Sequence, residues 1–301
     1  MTSRRRTWIV ALLFLGSSLM LGGCALFSDD TDLSIAPATE EGLFWRANYD
    51  FMRGEYEDAR ERLRLLVNQY PESPLVPEAR LGIARTYFEE ELYEQARVEY
   101  ERFLNFHPRH DRMDEALYFI ALSDFRQIER ADRDQTAARQ ALAAFKKLLT
   151  EVPDSSYKEE AKEKITIARR RLAEQEILVG LFYLKRDKFV GAKGRFQRVL
   201  DRYAGTGWEP KALFYLGETY DGLEDKKKAR KMYQQVLEKY PDSDWAVECG
   251  DRLGIKVVQR SQPGENSMYP KEASESFMDL MKESWKDLKE GFKGGLESPF
   301  E

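Results

Sequence analysis

Three short stretches decide the fold: Leu216-Gly217-Glu218-Thr219-Tyr220, Ala229-Arg230-Lys231-Met232-Tyr233 and Tyr240-Pro241-Asp242-Ser243. The first sets a large residue beside a small one, with an aromatic one helical turn on. The second follows a small residue with an aromatic at the same interval. The third is a stop, because proline donates no backbone hydrogen bond and collides with the preceding helical turn. Ala229 and Pro241 stand twelve residues apart, and the same step recurs in Ala59/Pro71, Ala96/Pro108 and Ala141/Pro153. A further unit keeps Ala192 but carries Ala204 where proline is due. Self-similarity at such a period marks a repeat architecture.

The other units repeat the pattern. The second has Ile83-Ala84, Tyr87, Ala96, Tyr100 and Phe103; the third has Ile120-Ala121, Ala141, Phe145 and Leu148; the fourth has Val179-Gly180, Tyr183, Ala192, Phe196 and Val199. The first is weaker, with Leu43 and Ala47 ahead of Ala59, Leu63 and Leu66. This pattern resembles the tetratricopeptide repeat, a helix pair of about 34 residues. The resemblance implies an all-α superhelix of five such pairs over residues 41–256. Small residues let the paired helices approach and large ones fill the gaps between pairs. The aromatics therefore read as core rather than as a cofactor box.

Ahead of the repeats, Arg4-Arg5-Arg6 precede an uncharged apolar run from Trp8 to Leu21, which leads into Leu21-Gly22-Gly23-Cys24. The run is short for a membrane span and fits the apolar region of a secretory signal. Small residues before a cysteine resemble the lipobox of bacterial lipoproteins. That implies a signal peptide over 1–23, lipidation of Cys24 and attachment to a membrane through it. The alternative is an uncleaved anchor with a chance cysteine. Residue 25 is alanine, not aspartate, which by resemblance to enteric lipoproteins implies an outer-membrane address, lipid-anchored on the periplasmic side. Residues 28–40 are polar and aperiodic, so 24–40 reads as a flexible tether after the lipidated cysteine. With Cys24 lipidated, Cys249 has no disulfide partner and reads as a small buried hydrophobe rather than a reactive thiol.

Composition narrows the function. The 301 residues carry 48 basic and 53 acidic side chains, a formal charge of −5 that gives no reason to expect nucleic acid. With Cys24 lipidated, Cys249, His107 and His110 are too few for the usual four-ligand Cys/His zinc site. His107 and His110 flank Pro108 and read as turn residues. No carboxylate pair stands in a catalytic context, and Gly205-Thr206-Gly207 follows no strand, so it is no phosphate loop. The expectation is a non-catalytic protein without cofactor or metal.

Two surfaces remain for binding. Stepping by three and four along the first helix of each unit places Phe44, Asn48 and Phe51, then Leu81, Arg85 and Phe88, then Tyr118, Leu122 and Phe125 on one face. That face reads as an aromatic groove for an extended peptide, with Arg85 for a free carboxylate. The competing reading packs the same side chains against the next helix. In the 257–301 tail, a linker at Pro263-Gly264 precedes Phe277, Met281, Trp285, Leu288 and Phe292 at helical spacing. These form an amphipathic helix suited to docking on the array or on a partner.

Four stretches sharpen the resemblance: Tyr70-Pro71-Glu72-Ser73-Pro74; Arg102 to His110 with Asp114 and Ala116-Leu117-Tyr118; Asp132-Arg133-Asp134-Gln135, within an eight-residue insertion of unit three; and Pro153-Asp154-Ser155 through Arg171-Leu172-Ala173 to Ala192 and Arg195. Over about residues 41–253 they resemble the BamD family of outer-membrane β-barrel assembly lipoproteins. The resemblance implies partners: a BamA-like barrel-forming subunit on the C-terminal repeats, unfolded outer-membrane proteins whose aromatic-ending C-terminal signals meet the N-terminal repeats, and other assembly lipoproteins. It implies that Arg195 pairs with an acidic residue of the barrel-forming subunit. A departure at Ala204-Gly205-Thr206-Gly207-Trp208 leaves the register between units four and five open. The alternative function is a periplasmic repeat protein coordinating envelope constriction with the Tol-Pal system. A wall-cleaving transglycosylase would need a further catalytic domain.

Overall fold

The computed structural model describes residues 39–257. Cys24, the signal peptide, most of the tether and the amphipathic tail helix lie outside the described residues. Eleven helices and no strand occur among those described: α1 (Glu40–Met52), α2 (Tyr56–Gln69), α3 (Val76–Glu89), α4 (Tyr93–Phe106), α5 (Met113–Arg126), α6 (Thr136–Glu151), α7 (Lys158–Leu184), α8 (Phe189–Arg202), α9 (Glu209–Gly222), α10 (Lys226–Lys239) and α11 (Asp244–Leu253). The chain is all-α and built of tetratricopeptide-type helix pairs. It divides into two compact units, one ending at Ala79 and the other beginning at Arg80.

Proline sets where the second helix of each pair ends. The residues capping α2, α4, α6 and α10 are Tyr70, His107, Val152 and Tyr240, each followed by proline and held at ψ between 50° and 76°. A residue before proline is driven out of the helical region. Tyr203 caps α8 ahead of Ala204 and relaxes to ψ 29°. In all five, the cap N–H still donates to the carbonyl four residues back, on Leu66, Phe103, Leu148, Val199 and Val236. The turn after Tyr203 is built differently. Gly205 and Gly207 take positive φ, Thr206 Oγ1 donates to the Tyr203 carbonyl, and Arg169 donates to the Ala204 carbonyl at 2.8 Å. This closes the register left open by the sequence, with α9 beginning at Glu209.

The recurring alanines Ala59, Ala96, Ala141, Ala192 and Ala229 are all buried on the second helix of their pairs. The small residue of the first helix has a steric purpose that the structure makes explicit. A Cβ on Gly217 would lie 2.4 Å from the Tyr233 ring, and one on Gly180 would lie 2.5 Å from the Phe196 ring. Both pairs are sixteen residues apart, as are Ala84/Tyr100 and Ala47/Leu63. The α5–α6 connection, residues 127–135, carries the unit-three insertion as a loop packed onto the core. Gln135 Nε2 donates to the Arg130 carbonyl at 2.7 Å, and Ile128 and Ala131 are buried beneath it.

In the second unit the core runs in clusters. One joins α3, α4, α5, α6 and the first part of α7 as far as Leu172; the next begins at Ala173 and joins the rest of α7 to α8 and α9; a third joins α9, α10 and α11. The 27-residue α7 is two first-type helices in one. Ala161 stands fourth in α7, as Ala116 and Ala212 stand fourth in α5 and α9, and all three are fully buried. Gly180 then repeats the small-residue position of a first helix within the same rod.

Candidate partner-docking surfaces

The peptide groove expected from helical stepping is largely absent as a surface. Leu81, Phe88, Tyr118, Leu122 and Phe125 are between 0% and 5% exposed and belong to one core cluster. The competing reading holds for these five, because each first helix is covered on that face by its neighbours. Tyr118 lies flat on Tyr157, with ring centroids 4.3 Å apart, and donates its hydroxyl to Glu160. Burial and the Glu160 charge hold that phenol well above its ordinary range. Arg85 is half-buried and paired within the chain: its Nε donates to Glu115 Oε1 at 3.0 Å, and Arg112 Nε holds the other oxygen at 2.8 Å.

In the first unit Phe44, Asn48 and Phe51 are half-buried. Asn48 Nδ2 donates to the Phe44 carbonyl, and Phe51 meets Tyr56 edge-on. The same helix carries aromatic surface that the stepping passed over. Trp45 is 42% exposed and stacks on Tyr49 at 6.0 Å, Arg53 lies over the Tyr49 ring, and Met52 is exposed beside them. Spacings of four put Trp45, Tyr49 and the C-cap residue Arg53 in one row, and Arg53 Nε also donates to Glu55 at 3.1 Å.

On α7 and α8 a second surface combines charge with apolar area. Glu176 is buried on α7 and receives two arginines from α8: Arg198 Nη1 at 2.9 and 3.0 Å, and Arg195 Nη1 at 3.2 Å. Arg195 spends one nitrogen on that contact, its side chain is a third exposed, and Glu176 is its one partner among the described residues. Its remaining N–H donors are therefore available to a second carboxylate, in the fork geometry that arginine offers. Further along α7, Leu178 and Phe182 are exposed one turn apart, and the Arg186 guanidinium sits 3.7 Å over the Phe182 ring. Val190, at the start of α8, is 73% exposed.

Residues 37–235 match a family model described as outer membrane lipoprotein, the YfiO family. The chain belongs to that family. Among curated YfiO/BamD-type relatives, the outer membrane protein assembly factor BamD of Rickettsia prowazekii is 31% identical over 237 residues, covering 78% of this chain and 92% of that one. BamD of Vibrio cholerae is 29% identical over 229 residues, covering 72% and 93%. A thermophilic tetratricopeptide repeat protein of known structure from Thermus thermophilus is 20% identical, with a TM-score of 0.32 over 72% of this chain and all of that one.

His107 and His110 both lean on Phe103, with ring centroids 5.4 Å away, and His110 Nδ1 accepts from the Arg112 N–H, so the structure gives them a turn role. Among the described residues no three His, Cys, Asp or Glu side chains are grouped to hold a metal ion. No described helix is long and apolar enough to cross a membrane.

Proposed function

We propose that this protein is a non-catalytic outer membrane protein assembly factor, anchored by a lipid on Cys24, that scaffolds a BamA-like barrel-forming subunit and receives C-terminal signals of unfolded outer-membrane proteins. Family membership and relatives named for this role support the assembly function. The observation that carries the scaffold reading is Arg195, half-satisfied by Glu176, on a helix pair that also exposes Phe182, Leu178 and Val190. An arginine with spare donors, on a helix pair that also exposes aromatic and aliphatic groups, has residue types enriched at interfaces. The signal-binding role falls to the N-terminal repeats. There the Trp45–Tyr49–Arg53 row, with Phe44 and Asn48 on the same helix, offers aromatic surface and a cation for a peptide that ends in an aromatic residue and a carboxylate. Arg85 enters this reading only by exchanging Glu115 for a substrate carboxylate.

The test is affinity purification of the tagged, lipidated protein from detergent-solubilised native membranes, with stoichiometric partners identified by mass spectrometry. Recovery of a barrel-forming subunit, lost in Arg195→Glu with helical content intact, is the expected result. Recovery of Tol-Pal or cell-wall proteins without that subunit overturns the reading, and undiminished recovery with Arg195→Glu overturns the assignment of that residue.

A further inference from the structure

A cleft of about 370 Å³ opens between α4, α5 and α6, apart from the docking surfaces described above. Its floor is apolar, with Leu117 and Ile120 from α5 and Leu104 from α4, and Ala143 and Ala144 of α6 form a low wall. At one end stands Asp124. Its side chain is 7% exposed, it accepts no hydrogen bond from any described residue, and its nearest cation is Arg97 Nε at 3.5 Å. A buried carboxylate in this condition is costly, because desolvation removes the water that would otherwise satisfy it.

Arg97 is poorly placed to compensate. Its two terminal nitrogens are taken by Glu94 at 3.2 Å and Glu101 at 2.9 Å, and its Nε is buried without a hydrogen-bond partner. One positive charge therefore serves three negative ones. The other cation lining the cleft, Lys147 of α6, faces Glu151 at 3.9 Å. The Asp124 end of the cleft is therefore acidic, which disfavours an anion there, and a lone carboxylate with no grouped ligands does not make a metal site. What fits is a cation with several N–H donors on an apolar stem, accompanied by apolar groups for the floor. Arginine within an extended peptide has that chemistry, since its guanidinium is weakly hydrated and pairs with carboxylates in a fork.

We propose that the α4–α5–α6 cleft binds an extended segment of a partner polypeptide, seating an arginine side chain on Asp124 and its apolar neighbours on Leu104, Leu117 and Ile120. The inference does not depend on the docking of a barrel-forming subunit. The charged groups acting on Asp124 are Glu94, Arg97 and Glu101 from α4, and α6 adds Gln140 and Lys147 to the cleft lining. Burial raises the Asp124 carboxyl to about 6, so binding of the cation weakens as pH falls through that value.

The probe is a fluorescein-labelled nonapeptide, Gly-Ser-Leu-Val-Arg-Val-Leu-Ser-Gly, and its counterpart with a central glutamate, titrated with the full-length protein in detergent micelles. The expected result is at least about a tenfold preference for the arginine peptide. Asp124→Asn abolishes the preference. Ala143→Trp, which fills the cleft from an exposed position outside the core, abolishes binding of both peptides. Equal binding of the two peptides, no binding, or an unchanged preference in Asp124→Asn overturns the proposal. A photo-crosslinker at position 143 in native membranes identifies the occupant. Attachment to an arginine-containing segment of another protein supports it, and attachment to a second copy or to residues 258–301 overturns it.

Discussion

Arg85 donates from Nε to Glu115 at 3.0 Å, and Glu115, 7% exposed, is held on its other oxygen by Arg112. The arginine that helical stepping offered to a ligand thus has a structural partner on the next helix pair. Removing it leaves Glu115 buried with one cation instead of two. Arg85→Ala is expected to cost about 2 kcal/mol, less than a fully orphaned buried charge because Arg112 remains. Urea unfolding at neutral pH measures this, and an unchanged midpoint would show that the pair contributes nothing.

Gly180 faces Phe196 so closely that a methyl group would stand 2.5 Å from the ring. Gly180→Ala is expected to destabilise the protein by about 1–3 kcal/mol through overpacking, despite the better helix propensity of alanine. Shortening the ring relieves the clash, so Gly180→Ala with Phe196→Leu should be more stable than the two single costs predict. A strictly additive cycle in chemical denaturation would contradict the steric explanation.

Asp124 gives stability a pH signature. Its carboxyl is pushed up to about 6, chiefly by burial, with Glu94 and Glu101 adding to the rise and Arg97 opposing it. Between the ordinary aspartate range and about 6, the folded protein holds more protons on this group than the unfolded chain does, so this group's contribution falls as pH rises through that window. Asp124→Asn is expected to be more stable than the parent at pH 7.5 by about 1–2 kcal/mol. The gap should narrow markedly by pH 4.5 and close below the ordinary aspartate range. Paired urea titrations at the two pH values decide it, and a pH-independent difference would place the effect elsewhere.

Cys249 is fully buried, and burial together with the Glu218 and Glu248 charges raises its thiol to about 12. Thiol reagents act on the thiolate. In a Cys24→Ser chain, native protein should therefore resist Ellman's reagent at pH 8, while urea-unfolded protein reacts with one equivalent. Prompt native reaction would mean that α11 opens readily.

The twelve-residue alanine-to-proline step was readable because both residues act locally: proline ends its own helix wherever it stands, and the alanine is small in any context. Five of the nine groove residues turned out to be core for the opposite reason. Stepping by three and four shows that Tyr118, Leu122 and Phe125 share a face, but what covers that face is supplied by residues far along the chain, such as Tyr157 and Phe145. Asp124 gave no signal, since one acid in Ala121-Leu122-Ser123-Asp124-Phe125 looks like any helix-face carboxylate until α4 and α6 close over it. The Trp45, Tyr49 and Arg53 row was legible in its spacing but fell outside the face chosen for the groove.

The fusion of two helices in α7 has a mechanical consequence. Leu172 and Ala173 are adjacent in sequence yet belong to successive core clusters, with no turn between them. Successive clusters also meet inside α9, at Ala212 and Leu213, but over a helix of 14 residues; α7 makes the joint a splint about 40 Å long. A force applied to α8 is carried to α5 and α6 along continuous hydrogen-bonded helix. The middle of the second unit therefore resists bending where an ordinary repeat array would flex.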